Sequence, residues 1–102
     1  MMNNKAILRQ AQQMQAKLMK AQEELEKETV EGSSGGGAVK VVITGQQKVV
    51  SIKISPEAVD PKDVSMLEDL VLTAINEGME KSKQLAATRM SAVTGVNVPG
   101  LF

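Results

Sequence analysis

The 102-residue sequence contains no cysteine, no histidine, no tryptophan and no tyrosine, and its one phenylalanine is Phe102. Without cysteine there are no disulfides and no thiolate metal sites. Without histidine, the commonest general base and the commonest metal ligand are both missing. One aromatic ring cannot build a stacking platform for single-stranded nucleic acid. No apolar run is longer than four residues, so the sequence predicts no membrane span and shows no secretory signal, and the expected location is the cytoplasm. The length fits a single domain over residues 1–102.

What remains for a core is Leu, Val, Ile, Ala and seven Met. A chain this small that also spends residues on long helices buries proportionally little surface by itself, so self-association is expected. Methionines fill irregular cores and helix seams more often than they form adaptable partner grooves, and the seam reading is preferred here.

Net charge is zero, with 12 basic and 12 acidic residues, but the charges are segregated. Residues 1–22 carry Lys5, Arg9, Lys17 and Lys20 and no acid, whereas residues 23–31 carry five acids and one base. Residues 38–55 carry three lysines and no acid, residues 57–80 carry seven acids against Lys62, and residues 81–102 carry only Lys81, Lys83 and Arg89. Both ends are basic and the acids lie between them.

Apolar spacing orders the elements. Ile7, Ala11, Met14, Leu18, Ala21 and Leu25 recur in alternating steps of four and three, the pattern of a helix over residues 5–27 with an a/d seam. The period then changes. "TVEGSSG" fits a short irregular strand; "AVKVVITG" puts Val39, Val41 and Ile43 on one face; "KVVSIKI" does the same with Val50, Ile52 and Ile54. A second helix is expected from about Val64 to Met90, with Leu67, Leu70, Val71, Ala74, Ile75, Met79, Leu85, Ala86 and Met90 outlining its apolar face. Pro56 and Pro61 suit first-turn positions with Ser55 and Asp60 as caps, and Ser65 with Glu68 has capping-box spacing. Gly95 and Pro99 close the pattern. The fold class is therefore α+β: helix, three-stranded antiparallel sheet, helix.

Several site-like features have plainer explanations. Gly32 and Gly37 match the ends of a phosphate loop, but Ala38 and Val39 stand where its Lys and Ser/Thr belong, and a strand follows instead of a helix. The stretch reads better as a turn or bulge, and as the joint that positions the first helix on the sheet. Glu23-Glu24 and Glu68-Asp69 lack any companion group for acid/base work, and the second pair suits a helix N-terminus. No catalytic residue, cofactor or small-molecule substrate is assigned, and the chain is expected not to be an enzyme.

The bases of the first helix stand out. At about 100° per residue, Lys5, Arg9, Lys17 and Lys20 share an arc of roughly 120° opposite the apolar stripe. Bases at a helix N-terminus and acids at its C-terminus oppose the macrodipole, so local helix stability does not account for them. If both helices leave the sheet in similar directions, their basic ends lie together at the far tips, a shape suited to a polyanion of duplex width.

The segments "RQAQQMQAKLMKAQEEL", "VEGSSGGGAVKVVITG", "MLEDLVLTAINEGMEKSKQLA" and "GVNVPGLF", in this order and at this length, resemble the YbaB/EbfC family of nucleoid-associated DNA-binding proteins. The resemblance implies a tweezers-like homodimer of α-β-β-β-α subunits that binds double-stranded DNA and acts without catalysis in nucleoid organisation and gene expression. The residues expected to contact DNA are Lys5, Arg9, Lys17 and Lys20 first, then Lys81, Lys83 and Arg89. Ile7, Met14, Leu18, Leu25 and Met90 are expected in the dimer or helix seam. Gly78 departs from the family, where a better helix former is usual, and marks a close crossing or a kink. The competing reading is a protein-interaction module whose bases are merely solvated; it predicts negligible DNA affinity and a stoichiometric protein partner.

Overall fold

A computed structural model describes residues 4–95, in the order α1 (Asn4–Lys27), β1 (Thr29–Ser34), β2 (Val39–Thr44), β3 (Val49–Ile54) and α2 (Val64–Thr94), with short 3-10 turns at Gly35–Gly37 and Pro56–Ala58. Pro99 and the rest of the C-terminal segment lie outside the described residues. The three strands form one antiparallel sheet in the order β1-β2-β3. The fold is α+β, as the alternation of apolar periods predicts.

Register explains the core. Val30, Gly32 and Ser34 of β1 stand opposite Ile43, Val41 and Val39 of β2, so these residues share a face. That face receives α2: Val39, Val41, Ile43 and Ala74 are fully buried, with Leu67, Leu70, Val71, Ile75 and Met79 packed around them. Helix α2 covers β1 and β2 but not β3. Ile52 and Ile54, paired with Val41 and Val39 on the same face, consequently remain 45% and 39% exposed. A bulge between Val42 and Ile43 shifts the β3 register, so Val49 faces Ile43 and packs on the core. Val50, expected beside Ile52 and Ile54, is the extra residue and is exposed.

Close approach of α2 to β1 needs two glycines. A Cβ on Gly32 would stand 2.1 Å from the Ala74 carbonyl oxygen and 2.5 Å from the Gly78 amide nitrogen; one on Gly78 would stand 2.7 Å from Ile43 Cδ1. Gly78 thus marks a helix–strand crossing. The roughly 1 kcal/mol of helix propensity it forgoes is offset by the packing it permits.

Helix boundaries carry one correction. The N-cap of α2 is Asp63, whose side chain accepts from the Met66 amide at 3.2 Å, so Ser65 lies inside the helix and the Ser65–Glu68 box does not form. Asp60 instead accepts from the Lys62 amide at 2.9 Å, closing the turn before the helix. At the other end Gly95 is the left-handed C-cap, at φ 72°.

The glycine run also has a different place from the one expected. Gly35, Gly36 and Gly37 all have positive φ and turn β1 into β2, at the end of β1 remote from α1. What fixes α1 is the β2–β3 turn. The Gly45 amide donates to the Leu25 and Glu28 carbonyls at 2.9 and 3.0 Å, and Gln46 Nε2 donates to the Gln22 carbonyl at 2.8 Å. The bond to Leu25 satisfies one of the carbonyls that a helix C-terminus otherwise leaves open. The same turn is pinned to α2: buried Ser82 donates to the Thr44 carbonyl at 2.6 Å and accepts from the Gln47 amide and Nε2, both at 3.2 Å.

Helices α1 and α2 pack antiparallel through Ala21, Leu25, Ala86 and Met90, with Leu18, Leu85 and Val93 at the margin. Beyond that contact α1 continues alone: every residue from 4 to 17 is exposed. The radius of gyration is 19.2 Å and the principal extents are 74 × 21 × 16 Å, against about 13 Å for a compact domain of this length. Among the described residues, no helix is long and apolar enough to cross a membrane.

Candidate nucleic-acid interface

The projecting part of α1 contains no acidic residue, and it carries Lys5, Arg9 and Lys17, with Lys20 one turn further on; all four are exposed. Along the axis the set spans about 22 Å, at 1.5 Å per residue. Leu18, Ala21 and Leu25 point at α2, so Lys5 and Arg9 lie on the side of α1 away from the seam, while Lys17 and Lys20 border the groove beside it. Directed outward on a helix that leaves the body, these groups can reach an extended anion without moving the fold.

The three bases of α2 are held differently. Lys83 is exposed on the surface of the helix. Lys81 pairs with Glu77 at 3.2 Å and donates to the Glu31 carbonyl at 3.0 Å, lying beside β1 and far from the tip of α1. Arg89 donates to Glu24 at 3.2 Å and also to Glu28, so it bridges α2 to the acidic end of α1. Lys17, Lys20, Glu24 and Arg89 line one groove of about 350 Å³ at the helix crossing. The structure therefore gathers Lys17, Lys20 and Arg89, leaves Lys5 and Arg9 further out on the same helix, and separates Lys81 from all of them.

The seam residues divide as well. Leu25 and Met90 are buried where α1 meets α2, and Leu18 packs against them. Ile7 and Met14, on the same stripe, lie beyond the end of α2 and are 45% and 40% exposed.

Two further bases belong in the description. Lys40 and Lys53 stand directly opposite each other on the sheet face turned away from α2, both exposed. Like charges across a strand pair are destabilising, so this face favours an anion over a cation. The signal was available in residues 38–55, with three lysines and no acid, but its cross-strand pairing depends on register. Among the described residues, no group of three or more His, Cys, Asp or Glu is placed to hold a metal ion.

Comparison with known proteins agrees with this geometry. The chain is 52% identical over 97 residues to a nucleoid-associated protein of Caldanaerobacter subterraneus, covering 94% of this chain and 87% of that one. It is 52% identical over 101 residues to a nucleoid-associated protein of Chloroflexus aurantiacus, covering 99% and 100%. The crystal structure of the uncharacterized protein HP0035 from Helicobacter pylori shares the fold, with a TM-score of 0.74 at 18% identity over 93% of this chain and 97% of that one. The profile of the YbaB/EbfC DNA-binding family matches residues 1–97, and with relatives this similar over nearly their whole length, the chain belongs to that family.

Proposed function

We propose that this protein binds double-stranded DNA as a homodimer and acts, without catalysis, in nucleoid organisation and gene expression. The observation that carries the reading is the outward arc of Lys5, Arg9, Lys17 and Lys20 on a helix that projects from the body and has no acid along that length. Such an arc is suited to phosphates, contacts that carry no sequence information, so it predicts binding with weak sequence preference. Lys83 and Lys81 extend the surface along α2, and Arg89 joins it where its two glutamates leave the guanidinium partly exposed. The matched family and the nucleoid-associated relatives support DNA as the partner and the nucleoid as the location.

The dimer is supported by β3. Its outer edge is unpaired among the described residues, and its core-side face presents Ile52 and Ile54 where α2 stops short. A free apolar edge strand is a template for pairing, and two copies related by a twofold axis would join their β3 edges into one continuous sheet. Electrophoretic mobility of duplex DNA at rising salt, comparing the natural protein with Lys5→Ala/Arg9→Ala, tests the reading. Binding should weaken steeply with salt, and the double variant should bind more weakly with a shallower slope, by about 0.9 for each phosphate it no longer neutralises. Absence of any shift at low salt overturns it.

A further inference from the structure

The side of the molecule turned away from α2 carries bases beyond those of the arm. Residues of α2 from Leu67 to Met79 pack on the sheet, and those from Leu85 to Val93 pack on α1. Around α2 the two sets are centred only about 50° apart, at 3.6 residues per turn. Sheet and α1 therefore follow one another along one side of α2, and their outer faces look broadly the same way. On the sheet, that face holds Lys40 and Lys53, directly opposite each other and exposed. Among the described residues neither forms an ion pair. Glu31, the one acid of the three strands, is on the same face. On α1, the outer face carries exposed Lys5, Arg9 and Lys27 with Glu23 among them, while Glu24 and Glu28 turn to Arg89 of α2. The outer side of α2 carries Asp69, Glu80 and Lys83. The excess of base thus lies opposite α2.

We propose that a single duplex lies lengthwise along this side, with the arm of α1 under one stretch and Lys40 and Lys53 under another. The inference rests on the reading that the arm binds duplex DNA, and adds a second contact to it. Spacing along the axis supports it. Gly32 lies against Ala74 and Gly78, and Ser34 donates to the Leu70 carbonyl, so Lys40, opposite Ser33, is level with about Ala74. Val93 shares a groove with Lys17 and Lys20. That level is roughly 28 Å further along α2, and Lys5 is roughly 18 Å beyond it, at 1.5 Å per residue. B-DNA returns a backbone to the same side every turn of about 34–36 Å, a spacing inside this range. A backbone that meets the arm therefore comes back to the sheet lysines one turn later. There a phosphate turns the repulsion between Lys40 and Lys53 into shared attraction. Two copies joined through β3 would bring both lysine pairs to the middle of one sheet, facing the same way.

Fluorescence anisotropy of the full-length chain with duplexes of about 10 and 30 base pairs, about 34 and 102 Å long at 3.4 Å per base pair, tests this. The arm, whose bases span about 22 Å, fills the short duplex by itself. Lys40→Ala/Lys53→Ala should bind the long duplex about tenfold more weakly, with a salt slope shallower by up to about 1.8 for two phosphates no longer neutralised, and the short duplex within about twofold of the natural protein. Lys40→Arg/Lys53→Arg, which keeps both charges, should retain the long-duplex affinity. Lys5→Ala/Arg9→Ala should weaken both lengths. Equal loss on the two lengths, or no loss on either, overturns the inference and leaves the arm as the site, as does a loss that arginine does not rescue. Unchanged affinity for one long duplex with lost capture of a second, differently labelled one assigns the lysines to bridging and also overturns it. A natural protein that binds neither length overturns the reading of the arm itself, and this inference with it.

Discussion

The two halves of α1 share one apolar stripe and differ in everything around it. The root, from Leu18 to the end of the helix, buries Ala21 and Leu25 against α2, is tied by Gly45 and Gln46, and carries acids that hold Arg89. The tip is exposed throughout and carries bases without acids. Burial and charge change together along one helix. Among the buried residues of the root, substitutions act on folding; in the tip, and at exposed Lys20 beside it, they should act on what the protein binds. The contrast teaches that a functional surface here is recognised by what local stability does not require, since bases at a helix N-terminus oppose the dipole.

The strongest way to break the scaffold side of this contrast lies under α2. Gly32→Val would place a branched side chain against the backbone of Ala74 and Gly78, where neither neighbour can rotate away. The expected loss exceeds about 4 kcal/mol, a large part of the stability of a small domain, and urea unfolding should show a variant that is mostly unfolded without denaturant. Next in size is the β3 edge proposed to form the dimer. Ile52→Lys/Ile54→Lys replaces exposed apolar groups on β3 by charge, the device by which sheet edges are kept from pairing. Sedimentation should shift from dimer to monomer with the circular dichroism of the helices retained. A wild-type protein that is already monomeric at micromolar concentration would remove β3 from the interface.

On the tip, Lys5→Ala/Arg9→Ala should leave urea stability within about 0.5 kcal/mol of the natural protein while lowering duplex affinity by about tenfold or more at moderate salt. Leu25→Ala in the root should do the reverse in stability, losing about 2–5 kcal/mol for a buried leucine. If the tip variant loses as much stability as affinity, the division of α1 into two halves is wrong.

Much of the fold is legible in the sequence because it follows from periodicity. The steps of four and three from Ile7 to Leu25 mark α1, and the alternation of Val39, Val41 and Ile43 marks the buried face of β2. What fails is whatever depends on a partner distant in sequence. Strand alternation puts Val50 on the apolar face, but a bulge set by pairing with β2 moves Val49 there instead. Asp63 caps α2 in place of the better-patterned Ser65–Glu68 pair, because local spacing permits both and backbone geometry decides. The glycine run reads as the joint that positions α1, yet the β2–β3 turn does so through bonds whose partners lie some twenty residues apart. In the candidate site, the exposed arc on α1 is legible from the helical wheel. The partners of Arg89 lie 61 and 65 residues away, and no local pattern announces them.

Arg89 gives the smallest effect and the finest test, because it stands on the boundary between the two halves. Its guanidinium is one-third exposed and the carboxylates of Glu24 and Glu28 are 43% and 38% exposed, so solvent screens the network. Arg89→Ala should therefore cost only about 0.5–1 kcal/mol of stability in urea unfolding, near the upper range for surface pairs. Its charge is already met by two glutamates, so its removal should weaken duplex binding less than removal of Lys20, which is exposed on the adjoining face. Glu24→Gln/Glu28→Gln works the other way. It frees the guanidinium into the groove shared with Lys17 and Lys20 and takes two negative charges from the approach to the arm. Affinity for duplex DNA should rise and the salt slope should steepen by up to about 0.9 for one additional neutralised phosphate. An affinity unchanged by the glutamate pair would confine Arg89 to the root, as a clasp between helices with no part in binding.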